Sequence, residues 1–209
     1  MKRRDFLRLA SAALLLAACA RKRRLDALAA GTVVLAFGDS VTYGTGASTG
    51  EDWPTRLAAA SGWRIVNAGV PGDTAEAGKA RLPALLDEHR PRLVLIEMGG
   101  NDFLRRRSSK AIKQDLKDMI AMVRQSGALA VLIGIPELSL LAVLARKPSD
   151  APIYAEIAEE SRVPLIPDAL SGILAHPELC ADQIHPNADG YRQMARTIEV
   201  ALREFGLVH

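Results

Sequence analysis

Aromatic residues are scarce in this chain of 209 residues, where tryptophan, tyrosine and phenylalanine together make up 4%. A surface that stacks nucleic-acid bases or sugar rings needs several such side chains, so this composition argues against both kinds of surface. Cysteine is scarcer still, with only Cys19 and Cys180. The sequence contains no Cys-x-x-Cys pair, no His-Glu-x-x-His motif and no cluster of histidine and cysteine, and we therefore expect no metal and no cofactor.

An excess of charge is also missing once the amino terminus is set aside. The whole chain has 27 Lys and Arg against 24 Asp and Glu, a formal net charge of +3. Residues 1–18 hold four basic residues and one acidic residue, and the tetrad Arg21-Lys22-Arg23-Arg24 holds four more basic residues. Residues 25–209 are thus left with 19 basic and 23 acidic residues. The basic character belongs to the amino terminus and does not predict a nucleic-acid partner.

The first eighteen residues have the layout of an export signal. A basic start, Lys2 to Arg8, precedes an apolar run, Leu9 to Ala18, that is too short to span a membrane. The sequence Arg3-Arg4-Asp5-Phe6-Leu7-Arg8 resembles a twin-arginine export signal, although Lys2 stands where that signal prefers serine or threonine. The sequence Leu16-Ala17-Ala18-Cys19 resembles a bacterial lipobox, whose cysteine is lipidated.

These resemblances imply a division of the amino terminus. They imply a signal peptide over residues 1–18, a lipid anchor on Cys19 and a basic tether over residues 19–30. The protein would then lie on the periplasmic side of a bacterial membrane, with the membrane as a partner through its lipid anchor. A plain secretory signal cleaved nearby and a short uncleaved anchor are the alternatives.

Strand-like and helix-like segments alternate from residue 32 onward. Short apolar runs predict strands at 32–37, 64–67, 93–98, 128–135 and 163–166. Helical patterns cover 53–60, 74–88, 111–125, 151–160 and 188–205, and we expect Pro83 to interrupt the second of these helices. This alternation predicts a three-layer α/β/α domain over residues 31–209, with a mostly parallel sheet of about five strands.

Four loops rich in glycine and polar residues stand out against this pattern. Three of them follow strands and one precedes the last helix: Gly38-Asp39-Ser40, Asn67 to Thr74, Gly99-Gly100-Asn101-Asp102, and Asp182 to Asn187. Because the carboxyl ends of parallel strands meet at one edge of a sheet, we expect these loops to converge on a single crevice.

Together the loops supply the groups that acyl transfer needs. Ser40 can attack a carbonyl carbon, His185 can take its proton, and Asp182 can hold the other ring nitrogen of the histidine. The backbone N–H groups of Ser40 and Gly72 and the side-chain amide of Asn101 can stabilise an oxyanion. Taken alone, Gly-Asp-Ser could be an ordinary turn, so the prediction depends on all four loops.

These four blocks, taken in order, resemble the SGNH hydrolase family, also called GDSL esterases. The resemblance covers about residues 32 to 205 and includes bacterial periplasmic arylesterases that also act as thioesterases and lysophospholipases. One departure is Val41, where the family usually has leucine. The resemblance implies a serine esterase that hydrolyses small fatty-acyl esters, thioesters or lysophospholipids through an acyl-enzyme, without a cofactor.

Two alternative functions stay open. One is an O-deacetylase of the same family acting on polysaccharide or peptidoglycan, and the other is a lipoprotein that binds without catalysis. The apolar segment 136–144 follows a strand end at the same edge as Ser40, and either lines an acyl pocket or packs on the sheet as an amphipathic helix. The cations Arg105-Arg106-Arg107 could attract anionic esters or a phospholipid surface, or could form a solvated face.

A second serine motif lies in the sequence Gly46-Ala47-Ser48-Thr49-Gly50, which matches the Gly-x-Ser-x-Gly elbow of other hydrolases. That elbow must follow a strand directly, and no apolar run precedes it here. We therefore interpret this segment as a loop and expect Ser48 not to be the nucleophile.

Overall fold

The computed structural model describes residues 25–137 and 148–208. Its centre is a five-stranded sheet in the order β2-β1-β3-β4-β5, and every neighbouring pair of strands is parallel. The strands are β1 (Val33–Gly38), β2 (Arg64–Gly69), β3 (Leu93–Glu97), β4 (Leu129–Ile133) and β5 (Leu165–Ile166). This confirms the predicted α/β class and the parallel sheet of about five strands.

Eight α-helices lie within the described residues. They are α1 (Ser40–Tyr43), α2 (Trp53–Ser61), α3 (Ala75–His89), α4 (Gly100–Leu104), α5 (Ser109–Gln125), α6 (Pro152–Ser161), α7 (Ser171–Leu174) and α8 (Ala188–Glu204), with a 3₁₀ turn at Pro177–Leu179. The long helices match the helical patterns in the sequence. The short helices α1, α4 and α7 were not predicted, because four or five residues are too few to show a helical period.

Two central strands form the core of the sheet. All of β3 is buried, and so are the last five residues of β1, as expected for strands covered by helices on both faces. The register pairs Gly38 with Gly69 on one side and with Glu97 on the other. The three strands therefore end at the same level, and the loops that follow them start side by side.

Helix α3 contradicts one prediction, since it runs from Ala75 to His89 without an interruption at Pro83. A proline removes one helical N–H, which leaves the carbonyl of Lys79 without its usual donor. Pro83 is exposed, so water can replace that bond, while Leu82 and Leu86 stay buried against the rest of the protein. Tertiary packing thus maintains a helix that the local sequence disfavours.

The amino-terminal end of the described chain lies at the edge of the sheet where the strands begin. The N–H of Leu25 donates to the carbonyl of Phe205, and the N–H of Leu28 donates to that of Leu207. The indole of Trp63, next to the start of β2, donates to the carbonyl of Leu28 over 3.3 Å. The predicted signal peptide and lipidation site lie outside the described residues. Among the described helices, none is long and apolar enough to cross a membrane.

Candidate active site

Ser40, His185 and Asp182 form one row of hydrogen bonds at the carboxyl edge of the sheet. The Oγ of Ser40 lies 2.9 Å from Nε2 of His185. On the other side of the ring, Nδ1 lies 2.7 Å from Oδ2 of Asp182. With the ring proton on Nδ1, the histidine donates to the aspartate and accepts from the serine, which is the arrangement that removes a hydroxyl proton during attack.

Asp182 also holds the loop that carries the histidine. Its Oδ1 accepts from the backbone N–H groups of Ile184 and His185, each over 2.8 Å. Burial favours its neutral form, but the hydrogen bonds from the His185 ring and these N–H groups outweigh it and keep the pKa of Asp182 below its ordinary value. The residue after Pro186, Asn187, caps α8 by accepting from the N–H groups of Asp189 and Gly190. The histidine loop is thus closed locally and docked on a long helix.

The turn that carries Ser40 is fixed by Thr42, which is fully buried. Its hydroxyl donates to Oε2 of Glu97 over 2.7 Å, and its carbonyl accepts from the side-chain amide of Asn67 over 2.8 Å. Helix α1 is thereby tied to the ends of β3 and β2. Gly38 has no room for a side chain, because a Cβ there would overlap the Thr42 hydroxyl and lie 2.5 Å from the carbonyl of Glu97.

The three predicted oxyanion donors lie on the segments that follow β1, β2 and β3. Gly72 has a left-handed φ of +80°, which suits glycine, and its carbonyl accepts from Arg105 over 3.0 Å. Among the described residues, neither the Gly72 N–H nor the Ser40 N–H has a hydrogen-bond acceptor. Asn101 and Ser40 line one pocket. The side-chain nitrogen of Asn101 donates to Oδ2 of Asp39 and to the carbonyl of Asp73, each over 3.0 Å.

Two buried carboxyl groups lie beneath the serine, and the sequence reasoning did not assign them a role. Asp39 and Glu97 both line the pocket and are 3% and 1% exposed. In the described part of the chain neither forms an ion pair. Burial raises the pKa of Asp39 to about 6, against the hydrogen bonds from Val41 and Asn101 and the charge of His185. Burial, followed by the nearby charge of Asp39, raises the pKa of Glu97 well above its ordinary value. A single carboxyl inside the apolar run of β3 was the signal that could have identified Glu97.

The pocket beside Ser40 has an apolar wall. This wall consists of the side chains Val41, Leu104, Ile135, Leu170 and Ile184. Such a lining suits a hydrocarbon group better than a sugar hydroxyl, because the polar group would lose its hydrogen bonds to water. Ile135 directly precedes the segment 136–144, and the part of that segment from residue 138 onward lies outside the described residues.

The second serine motif forms an exposed loop between α1 and α2. The N–H of Ser48 donates to Glu51 over 3.0 Å, and its side chain has no partner among the described residues. Gly46, at the start of the motif, packs against the histidine loop, and a Cβ there would lie 2.5 Å from the carbonyl of Pro186. The remaining cysteine, Cys180, is partly buried, and burial raises the pKa of its thiol. This disfavours the reactive thiolate form.

The chain is similar to one protein-family model and to several known proteins. The GDSL-like Lipase/Acylhydrolase family model matches residues 36–193. Thioesterase 1/protease 1/lysophospholipase L1 of Escherichia coli (strain K12) is 37% identical over 168 residues, which cover 77% of this chain and 78% of that protein. Esterase TesA of Pseudomonas aeruginosa is 37% identical over 188 residues, covering 83% and 89%. A crystal structure of TesA superposes with a TM-score of 0.72 and 32% identity, covering 83% of this chain and 99% of that one.

Proposed function

Since this chain belongs to the GDSL-like lipase/acylhydrolase family and is a carboxylic ester hydrolase, we propose that Ser40 is its nucleophile, His185 its general base and Asp182 the residue that orients the base. The observation that carries this assignment is the hydrogen-bonded row from Ser40 Oγ to His185 Nε2 and from Nδ1 to Asp182. The oxyanion donors are the N–H groups of Ser40 and Gly72 and the side-chain amide of Asn101.

The reaction proceeds in two halves. His185 Nε2 takes the hydroxyl proton as Ser40 Oγ bonds to the carbonyl carbon, and the imidazolium that forms is stabilised by Asp182. The same proton passes to the leaving alcohol or thiol, the bond to that group breaks, and the acyl group remains on Ser40. Water then attacks the acyl-enzyme with His185 again as base, and this releases the carboxylic acid and restores the serine.

The substrate we propose is a fatty-acyl ester or thioester, including lysophospholipids. Support comes from the apolar wall of the pocket and from the relatives named as thioesterase, lysophospholipase and esterase. A polysaccharide O-deacetylase would need a polar groove for the sugar, and the apolar pocket wall does not favour it. The oxyanion donors and the hydrogen-bonded serine and histidine also argue against a binding protein without activity.

An acyl-length series tests this proposal. The assay compares four kinds of substrate, with Ser40→Ala as the inactive control. These are esters of one alcohol with acetyl to palmitoyl chains, palmitoyl thioesters, lysophospholipids and acetylated xylan. We expect kcat/KM to rise with chain length beyond acetyl, because each added methylene is withdrawn from water. Hydrolysis limited to acetyl groups on the polysaccharide would instead establish the deacetylase.

We also propose that the mature protein is anchored through lipidated Cys19 on the periplasmic side of a bacterial membrane. The support is the lipobox-like sequence that ends at this cysteine. Cys19→Ser should leave an active enzyme that is no longer lipidated. Mass spectrometry of the mature amino terminus is the decisive measurement, and an unmodified terminus beyond Cys19 on a soluble protein contradicts the anchor.

A further inference from the structure

Three exposed apolar side chains lie on the segments that form the candidate active site. Five large hydrophobic side chains are exposed in the described part of the chain: Tyr43 (59%), Val70 (42%), Leu104 (45%), Leu129 (36%) and Val200 (55%). The first three lie on the segments that also carry the nucleophile and the oxyanion donors. Tyr43 ends the helix of Ser40, Val70 precedes Gly72 by two residues, and Leu104 ends the helix of Asn101.

Two contacts hold these segments next to one another. The backbone of Gly69 lies against that of Tyr43, so closely that a Cβ on the glycine would overlap the tyrosine nitrogen. The guanidinium of Arg105 donates to the carbonyl of Gly72 over 3.0 Å, which joins the end of α4 to the loop of Val70. The segments that carry Tyr43, Val70 and Leu104 therefore lie next to one another, and Leu104 also lines the pocket itself.

Unpaired cations stand beside these apolar side chains. Arg105 and Arg106 are exposed, and no acidic side chain of the described residues forms an ion pair with either. The next residue, Arg107, differs from them, because it is partly buried in ion pairs with Asp102 and Asp115 over 3.0 and 2.6 Å. Of the three predicted cations, two are thus available at the entrance and one is structural. We call Tyr43, Val70, Leu104, Arg105 and Arg106 the entrance rim.

We propose that the entrance rim docks on a negatively charged lipid surface, so that the enzyme takes its substrate from a lipid aggregate. Apolar side chains enter the boundary between headgroups and acyl chains, while neighbouring arginines stay among anionic headgroups. The rim combines both features at the opening through which an acyl chain would pass. This inference rests on the proposed fatty-acyl substrate, but it concerns how that substrate is presented and not which bond is cleaved.

A vesicle-binding experiment tests the entrance rim independently of ester hydrolysis. The full chain carrying Cys19→Ser, which removes the proposed anchor, is sedimented with vesicles of phosphatidylcholine alone or of an equimolar mixture with phosphatidylglycerol. We expect binding to the anionic vesicles that weakens with added salt. Arg106→Gln should lower that affinity about fivefold with little effect on neutral vesicles. Tyr43→Ser combined with Val70→Ser should lower affinity for both vesicle types about tenfold or more.

The chain offers matched controls for this experiment. Leu129 begins β4 at the opposite edge of the sheet and Val200 lies on α8, and both are exposed hydrophobic side chains outside the rim. Leu129→Ser and Val200→Ser should leave vesicle binding unchanged. The inference is overturned if these controls weaken binding as much as the rim variants do, or if the starting protein does not bind anionic vesicles.

Two further outcomes separate this inference from the proposed substrate. If the protein hydrolyses dissolved fatty-acyl esters but does not bind vesicles, the proposed function holds and the lipid-docking inference is wrong. If the rim variants lose vesicle binding but the starting protein hydrolyses no fatty-acyl ester, the lipid-docking inference holds and the proposed function is wrong. If the rim variants instead convert a dimer into a monomer in analytical ultracentrifugation, the rim is a contact between copies and the lipid proposal is wrong.

Discussion

Asn101 donates its side-chain amide to the carboxylate of Asp39, the residue directly before the candidate nucleophile, over 3.0 Å. The same amide nitrogen donates its second hydrogen to the carbonyl of Asp73, also over 3.0 Å. The amide is therefore held by the loops of β1 and β2 before any substrate arrives. A developing oxyanion must share one of these hydrogens or replace one of the two acceptors.

Removing this amide should slow the chemical step more than it weakens substrate binding. We expect Asn101→Ala to lower kcat by about 10²–10³, with a smaller effect on KM, because the donor meets full negative charge only in the transition state. Steady-state kinetics on a soluble ester measures both parameters. A variant with unchanged kcat would remove Asn101 from the oxyanion hole.

Substitution of the serine should have opposite effects on hydrolysis in the two serine motifs. Ser40→Ala should abolish hydrolysis while the thermal unfolding curve keeps its shape, because the histidine ring is the only hydrogen-bond partner of the hydroxyl among the described residues. Ser48→Ala should retain most activity, since its side chain is exposed and has no partner in the described part of the chain. A fluorophosphonate probe that labels serine nucleophiles should modify the wild type and Ser48→Ala but not Ser40→Ala. Labelling that follows Ser48 instead would contradict the assignment.

Gly46 should matter for activity because of its contact with the histidine loop. Gly46→Ala introduces a side chain at a φ of +98° and within 2.5 Å of the Pro186 carbonyl, so the loop that carries His185 must shift. Gly50→Ala is the matched control, with a φ of +84° and no atom of the described residues within 4 Å of the added Cβ. Both variants should lose about 1–2 kcal/mol of stability to the left-handed backbone. Only Gly46→Ala should also lose kcat, by about tenfold or more, because small displacements of a catalytic group are costly. Equal kcat values for the two variants would show that the contact has no catalytic role.

Glu97 should make the protein less stable as the pH rises. Its pKa is raised in the folded protein, so the folded state binds a proton more tightly than the unfolded chain does. The resulting penalty is absent below the ordinary glutamate pKa, grows as the pH rises between the two values, and is complete above the folded value. Glu97→Gln imitates the protonated form and should raise Tm by a few degrees at about pH 8, with a smaller gain at about pH 4. The exposed Glu88→Gln is the control, and a gain that is the same at both pH values would contradict the buried charge.

The sequence predicted the parts of the site that depend on local order. Each strand followed by a polar loop was visible as an apolar run, and Asp182 and His185 are three residues apart, so their contact needs one turn of chain. The contacts that support the site are not local. Asp39 and Asn101 are 62 residues apart and Thr42 and Glu97 are 55 apart, and both pairs meet only because β1 lies beside β3.

The sequence did not show the order of the strands in the sheet. Alternating strands and helices fix a parallel sheet, but they do not say which strands are neighbours, so no partner for Glu97 could be named. The course of α3 through Pro83 was missed for a similar reason. The residues that keep this helix intact, Leu82 and Leu86, act through contacts with distant parts of the chain.

The two ends of the sheet give the molecule a direction. Leu25 leaves the domain at the edge where the strands begin, and Ser40 lies beyond the edge where they end. Five residues lie between Cys19 and Leu25, so the six steps from one to the other have a fully extended length of about 20 Å, which is no more than the length of β1 itself. If Cys19 is held in a bilayer, this linker is too short for the domain to rotate until its active site faces the same bilayer. The enzyme would then point its entrance away from the membrane that anchors it, and the lipid surface on which the entrance rim docks would have to be a different one, on the far side of the compartment.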